Sequence, residues 1–109
     1  MKGATVAGAA LGALGVIAGA FGAHGLKGRV DADLYETAVF YHLIHAVAVV
    51  VAARHRVAAW LFGGGVVLFS GSLYALSAGA PKWLGMVAPI GGAALIAGWT
   101  ALAIGARRA

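Results

Sequence analysis

Charged residues are confined to short stretches of the chain, and long apolar segments lie between them. Four segments contain no Asp, Glu, Lys or Arg: residues 3–26, 37–53, 57–81 and 83–106. A membrane-spanning helix needs about 20 mainly apolar residues, and the short second segment reaches that length when it is extended back to residue 34. The pattern predicts an all-α integral membrane four-helix bundle with short loops. We expect one domain over residues 1–109, with helices at about 3–24, 34–53, 57–79 and 83–106.

Small residues recur at helical spacing in the first and last segments. The first stripe is Gly8, Gly12, Gly15, Gly19 and Gly22, and the last is Gly91, Ala94, Gly98, Ala101 and Gly105. Glycine is a poor helix former in water, but lipid offers the backbone no competing hydrogen-bond partners. In a membrane, small residues also let helix backbones approach closely. We therefore expect both stripes to be helix-packing surfaces inside the bundle, with a homo-oligomer contact as the alternative.

The same spacing places polar side chains on one face of each middle helix. In the second helix it selects Ala38, His42, His45, Val49 and Ala52, and in the third Gly63, Val67, Ser70, Tyr74 and Ser77. At 1.5 Å per residue, His42 and Tyr74 both lie about 9 Å from the outer ends of their helices. His45 and Ser70 fall a few residues deeper. The sequence thus predicts a polar layer in the outer half of the membrane, facing inward.

These polar residues are the candidate site, because titratable groups at membrane depth are functional candidates by default. The ligand-binding hypothesis comprises His24, Glu36, His42, His45, Ser70 and Tyr74. Three of them, His42, His45 and His24, are candidate metal ligands, although a zinc site needs at least three well-placed ligands. We expect no cofactor, and a bound metal ion is the alternative. A third interpretation is that the side chains only form hydrogen bonds between helices.

Composition and charge exclude some kinds of site and argue against some functions. The chain is 62% hydrophobic and 10% charged, and it has no cysteine, which excludes disulfides and thiolate metal sites. Its net charge of +5 does not indicate nucleic-acid binding, because the basic residues lie at helix ends. One side of a four-helix chain would carry Lys2, Arg54, Arg56, Arg107 and Arg108, and the other Lys27, Arg29 and Lys82. The positive-inside rule then places both termini in the cytoplasm.

Several residues near the predicted helix ends have predicted roles in helix capping, helix bending or anchoring at the membrane surface. Pro89 either kinks the fourth helix or lies in the first turn of a helix that begins near Val87. Asp31 or Asp33 is expected to cap a short helix in the first loop, although that loop can equally be a solvated connector. Tyr35, with Trp60 and Trp83, is expected to anchor at the membrane interface. His55 is expected to be solvated.

Four sequence blocks resemble the domain-of-unknown-function 423 family. They are AFGAHGLK (20–27), ETAVFYHLIHA (36–46), FSGSLYALS (69–77) and PIGGAALIAGW (89–99), and they occur in order along nearly the whole chain. The resemblance implies a small, multi-pass protein of the bacterial inner (plasma) membrane with four helices. It implies no established activity and supplies no catalytic or ligand residues.

No arrangement of residues indicates catalysis. The chain shows no nucleophile–histidine–acid order, no paired catalytic carboxylates and no nucleotide fingerprint, so we do not expect an enzyme. The favoured function is that of a non-enzymatic structural or accessory protein in the lipid bilayer, as a homo-oligomer or part of a larger membrane complex. The alternative is binding or transport of a small molecule, proton or metal ion through the outer-half His/Tyr/Ser pocket.

Overall fold

Four long α-helices make up the structure, a computed structural model that describes residues 2–108. The helices are α1 (Lys2–His24), α2 (Ala32–Val51), α3 (Arg56–Ser77) and α4 (Val87–Arg108), with a short 3₁₀ helix (Lys82–Met86) before α4. All four helical segments are long and apolar enough to cross a membrane. The described part contains no strand. The predicted all-α, four-helix membrane fold is therefore confirmed.

Consecutive helices pack against one another, and the short loops make neighbours antiparallel. Helix α1 lies on α2, α2 lies on α3, and α3 lies on α4, whereas the backbones of α1 and α4 do not approach each other over residues 2–108. The molecule measures 47 × 26 × 17 Å. Helices α2 and α3 therefore occupy the middle of the arrangement and contribute most of the buried side chains.

The five glycines of the α1 stripe face α2. A methyl group added at Gly8, Gly15 or Gly22 would overlap Val50, Leu43 or Tyr35, respectively. At Gly12 and Gly19 it would make ordinary contacts with Ala46 and Val39. The first stripe is therefore used within the chain, and its small residues let α1 and α2 lie close together.

The glycines of α4 face α3 in the same way. An added methyl group would meet the backbone of Phe69 at Gly91, the ring of Phe62 at Gly98, and the imidazole of His55 at Gly105. His55 is thus half-buried against α4, and the expectation that it is simply solvated was wrong. The second stripe is also used within the chain.

Helix ends differ from the sequence expectations at two places. Asp31 caps α2, not a separate helix in the first loop. Its side chain accepts a hydrogen bond from the Leu34 N–H at 3.1 Å. The expected fourth helix from residue 83 starts instead as a 3₁₀ turn, and its α-helix begins at Val87. Pro89 is the third residue of α4, where a missing N–H breaks no helical bond. The helix start near Val87 was the correct alternative.

The buried face of α3 departs from the predicted spacing. All five residues predicted for the α2 seam are buried, but on α3 Val67 is 61% exposed and faces outward. In this half of α3 the buried side chains are Ala58, Ala59, Phe62 and Val66. Helix α3 packs against α2 and α4, and Val67 lies on neither contact face.

Candidate functional site

His42 joins three helices through its two ring nitrogens. Its Nε2 lies 2.7 Å from the Leu11 carbonyl oxygen of α1, and its Nδ1 lies 2.7 Å from the Tyr74 hydroxyl of α3. A carbonyl oxygen only accepts hydrogen bonds, so Nε2 carries the proton and donates it. In the neutral ring Nδ1 is then the acceptor, and the Tyr74 hydroxyl donates to it. The side chain is buried, at 8% exposure.

His45 is held in the opposite tautomer. Its Nδ1 lies 2.8 Å from the carbonyl oxygen of Tyr41, one turn earlier in α2, and must donate to it. Its Nε2 accepts from the indole N–H of Trp99 in α4 at 3.1 Å, because an indole nitrogen is only a donor. The Tyr41 ring also stacks on the imidazole, with centroids 5.9 Å apart and planes 3° apart. His45 therefore links α2 to α4.

The remaining buried polar side chains are satisfied as well. The Ser70 hydroxyl donates to the Ala38 carbonyl at 2.8 Å and ties α3 to α2. The Tyr35 hydroxyl donates to the Ala18 carbonyl at 2.5 Å and ties α2 to α1. Ser72 and Ser77 donate to carbonyls of their own helix. Over residues 2–108 no buried side-chain nitrogen or oxygen lacks a partner.

Tyr35 was expected to anchor at the membrane interface, and that expectation was wrong. The ring is buried, at 8% exposure, and lies over Gly22 of α1. It also packs edge-on against Tyr74, with centroids 5.3 Å apart. The absence of a side chain at Gly22 makes the space that the Tyr35 ring fills.

The structure brings together only part of the predicted site. His42 contacts Tyr74 directly, and Ser70 lies in the same α2–α3 interface but bonds to the backbone. His45 instead bonds across to Trp99. His24 and Glu36 are exposed, at the end of α1 and near the start of α2.

The candidate metal ligands do not form a cluster in the described part of the chain. Within residues 2–108, no group of three or more His, Asp and Glu side chains is close enough to hold a metal ion. A histidine that binds a metal must offer a nitrogen lone pair. The one lone pair of each neutral imidazole, on His42 Nδ1 and His45 Nε2, already accepts a hydrogen bond.

Trp99 is the residue that the sequence reasoning missed. The sequence held a signal for it, because an indole N–H in the middle of an apolar span needs an acceptor from another helix. Which helix supplies that acceptor depends on the tertiary arrangement. The backbone acceptors, Leu11 and Ala38 among them, carry no side-chain signal at all.

Comparison with known proteins finds a matching family and relatives that are named as membrane proteins. Residues 18–92 match the model of a family described as "Protein of unknown function (DUF423)". The chain is 39% identical to the UPF0382 membrane protein YwdK of Bacillus subtilis, over 97% of both chains. It is 36% identical to the UPF0382 inner membrane protein YgdD of Escherichia coli, over 85% of this chain and 80% of the relative. No solved structure matches the chain.

Proposed function

The chain belongs to the DUF423 family, and from that premise we propose that it is a non-enzymatic structural or accessory protein. It is a small, multi-pass protein of the bacterial inner (plasma) membrane, and the activity of its family is unknown. In this proposal both termini are cytoplasmic, and the protein stabilises or assists an assembly within the bilayer. It uses no cofactor.

One observation carries the proposal: the two membrane-buried imidazoles are fully engaged in hydrogen bonds to protein groups. Each ring nitrogen of His42 and His45 has a partner, and three of the four partners lie on other helices. Polar contacts of this kind contribute about 0.6–2 kcal/mol each to helix association in membranes. The histidines therefore have a sufficient structural role.

Binding or transport through an outer-half pocket is less well supported. It requires polar groups that converge on an open space with hydrogen-bonding capacity to spare. The strongest pair, His42 and Tyr74, points its polar atoms at each other. Toward the other end of α2 and α3 the buried core is Val49, Ala52, Phe62 and Val66, which offers no continuation for a proton path.

A homo-oligomer or a larger membrane complex has to form through surfaces other than the glycine stripes, because both stripes are covered within the chain. Affinity purification of the chain from its own membranes in mild detergent tests this part. We expect one stoichiometric membrane-protein partner, or further copies of the chain. Recovery of the chain only as a monomer would contradict the accessory role.

The histidines are tested by replacing His42 and His45 together with leucine. We expect the purified wild-type protein to contain no stoichiometric metal or small molecule by elemental analysis and native mass spectrometry. The double variant should differ only in a lower midpoint of unfolding. Tyr74→Phe with Trp99→Phe serves as a second variant, because it removes the partners and leaves the imidazoles in place. A metal or small molecule retained by the wild type and lost with the histidines would overturn the proposal.

A further inference from the structure

A cleft opens between α1 and α3 at the end of the molecule that carries Lys2, Arg54, Arg56, Arg107 and Arg108, here called the basic end. Its volume is about 480 Å³. The α1 wall is formed by Gly3, Ala4 and Ala7, and the α3 wall by Gly63 and Gly64. An added methyl group at Gly3, Gly63 or Gly64 would meet nothing within 4 Å. The missing side chains of these three glycines therefore leave part of the cleft open.

The dimensions of the cleft match the hydrocarbon of one membrane leaflet. Along α3 its lining residues run from Arg56 to Gly64, a rise of about 12 Å at 1.5 Å per residue. Half of a bilayer core of about 30 Å is about 15 Å. Its interior is apolar, and Trp60, 74% exposed, stands beside it as interfacial aromatics do. An apolar slot of this length and position fits an acyl chain.

The charged residues around the cleft indicate which kind of lipid headgroup would fit at its polar end. Arg56 lines the cleft at its polar end, as the first residue of α3. All three acidic residues, Asp31, Asp33 and Glu36, lie near the start of α2, about 22–30 Å along the helix from its other end, which is next to the start of α3. Among residues 2–108 no Asp or Glu side chain therefore lies beside the Arg56 guanidinium, and a phosphate oxygen is a geometrically suitable partner for it.

A second cleft, between α1 and α2 at the opposite end, provides a contrast. It has a volume of about 600 Å³ and is lined by both Lys27 and Glu36. Opposite charges in one cleft give no preference for a net-negative headgroup. Selectivity for anionic lipid is therefore expected at the basic end alone.

We propose that the α1–α3 cleft binds one anionic phospholipid, with an acyl chain between the glycine-lined walls and the headgroup phosphate on Arg56. This site goes beyond the structural role proposed above and does not depend on it. The lipid would fill the gap that separates α1 from α3 and so complete the packing of α1.

Native mass spectrometry tests the proposal on protein taken from vesicles of equal phosphatidylglycerol and phosphatidylethanolamine. We expect the wild type to retain one phosphatidylglycerol after the other lipids are removed. Gly63→Leu with Gly64→Leu should abolish this retention, because the new side chains occupy the slot. Gly71→Leu is the matched control: Gly71 lies on the same helix, has open space around an added methyl group, and does not line the cleft.

The headgroup contact is tested separately. Arg56→Gln should lower the preference for phosphatidylglycerol about fivefold, which corresponds to about 1 kcal/mol for one basic residue near anionic lipid. Arg107→Gln, at the same end but outside the cleft, should leave the preference unchanged. Equal retention of both lipids by the wild type would overturn the proposal. Equal losses in the cleft variants and their controls would also overturn it, because they would indicate nonspecific lipid.

Discussion

Two imidazoles in the same helix, one turn apart, carry their proton on opposite nitrogens. His42 donates from Nε2 to a carbonyl of α1, and His45 donates from Nδ1 to a carbonyl of its own helix. The nitrogen left over accepts from Tyr74 in one case and from Trp99 in the other. Each residue therefore acts through a donor and an acceptor at once, which accounts for histidine at both positions.

The contribution of the Tyr74 hydroxyl to stability can be measured by comparison with another tyrosine, Tyr41. Tyr74→Phe removes the donor to His42 and should lower the free energy of unfolding by about 0.6–2 kcal/mol. Tyr41→Phe is the control, because no hydrogen bond is found for its hydroxyl within residues 2–108. Unfolding in detergent measures both variants. Equal effects would contradict the assigned bond.

The glycines differ in how closely other atoms surround them, so replacing them with alanine should change stability by different amounts. A methyl group at Gly91 would strike the backbone of Phe69, whereas at Gly71 it would meet nothing within 4 Å. Gly91→Ala should therefore destabilise by about 1–3 kcal/mol through overpacking, and Gly71→Ala should be neutral or stabilising. Thermal unfolding in detergent compares the two. A neutral Gly91→Ala would contradict the close approach of α3 and α4.

At the scale of helices, α2 is the centre of the polar contacts. Its side chains or carbonyls bond to α1 through Tyr35 and His42, to α3 through His42 and Ala38, and to α4 through His45. The backbones of α2 and α4 do not approach each other closely, so the His45–Trp99 contact is a side-chain bridge between them. The seam that joins α4 to α3 is instead apolar.

A double-mutant cycle on His45→Leu and Trp99→Phe isolates that bridge. We expect a coupling free energy of about 0.6–1.7 kcal/mol, from the average to the maximum found in double-mutant cycles on hydrogen bonds between membrane helices. Ser77→Ala with Trp99→Phe is the control cycle, because the Ser77 hydroxyl bonds only within its own helix. Additive effects in the His45–Trp99 cycle would show that the bridge does not form in the membrane.

Sequence reasoning located the buried seam of α2 but only part of the buried surface of α3. The spacing of α2 identified Ala38, His42, His45, Val49 and Ala52, and all five are buried. On α3 the same spacing selected Ser70 and Ser77, which are buried, but also Val67, which is exposed because it faces neither α2 nor α4. Interhelical partners such as Trp99 were not predictable, because a hydrogen bond depends on helix rotation and depth as well as on residue type.

For the whole molecule, the arrangement is an antiparallel set of spans with basic residues concentrated at the end that carries both termini. The terminal end holds five of the eight Lys and Arg residues and none of the three acidic residues. The positive-inside rule therefore predicts that this end is cytoplasmic. The opposite end holds the turns at Gly28 and Gly79, which adopt positive φ angles of 80° and 95°.

The absence of native cysteine makes this orientation easy to test. Ala106→Cys lies at the terminal end and Ala80→Cys at the opposite end, and neither change alters a charge. A membrane-impermeant thiol reagent added to intact cells, with the outer membrane permeabilised where there is one, should label only the cysteine at position 80. Labelling at position 106 alone would reverse the orientation.

The central claim is that the buried imidazoles are neutral, structural and in opposite tautomers. Nitrogen-15 NMR of histidine-labelled protein in lipid bilayers tests it directly, with single His42→Leu and His45→Leu variants to assign the signals. The account predicts a protonated Nε2 for His42, a protonated Nδ1 for His45, and no change in either ring when zinc is added. The same tautomer for both rings, or imidazole signals that shift on addition of zinc, would contradict it.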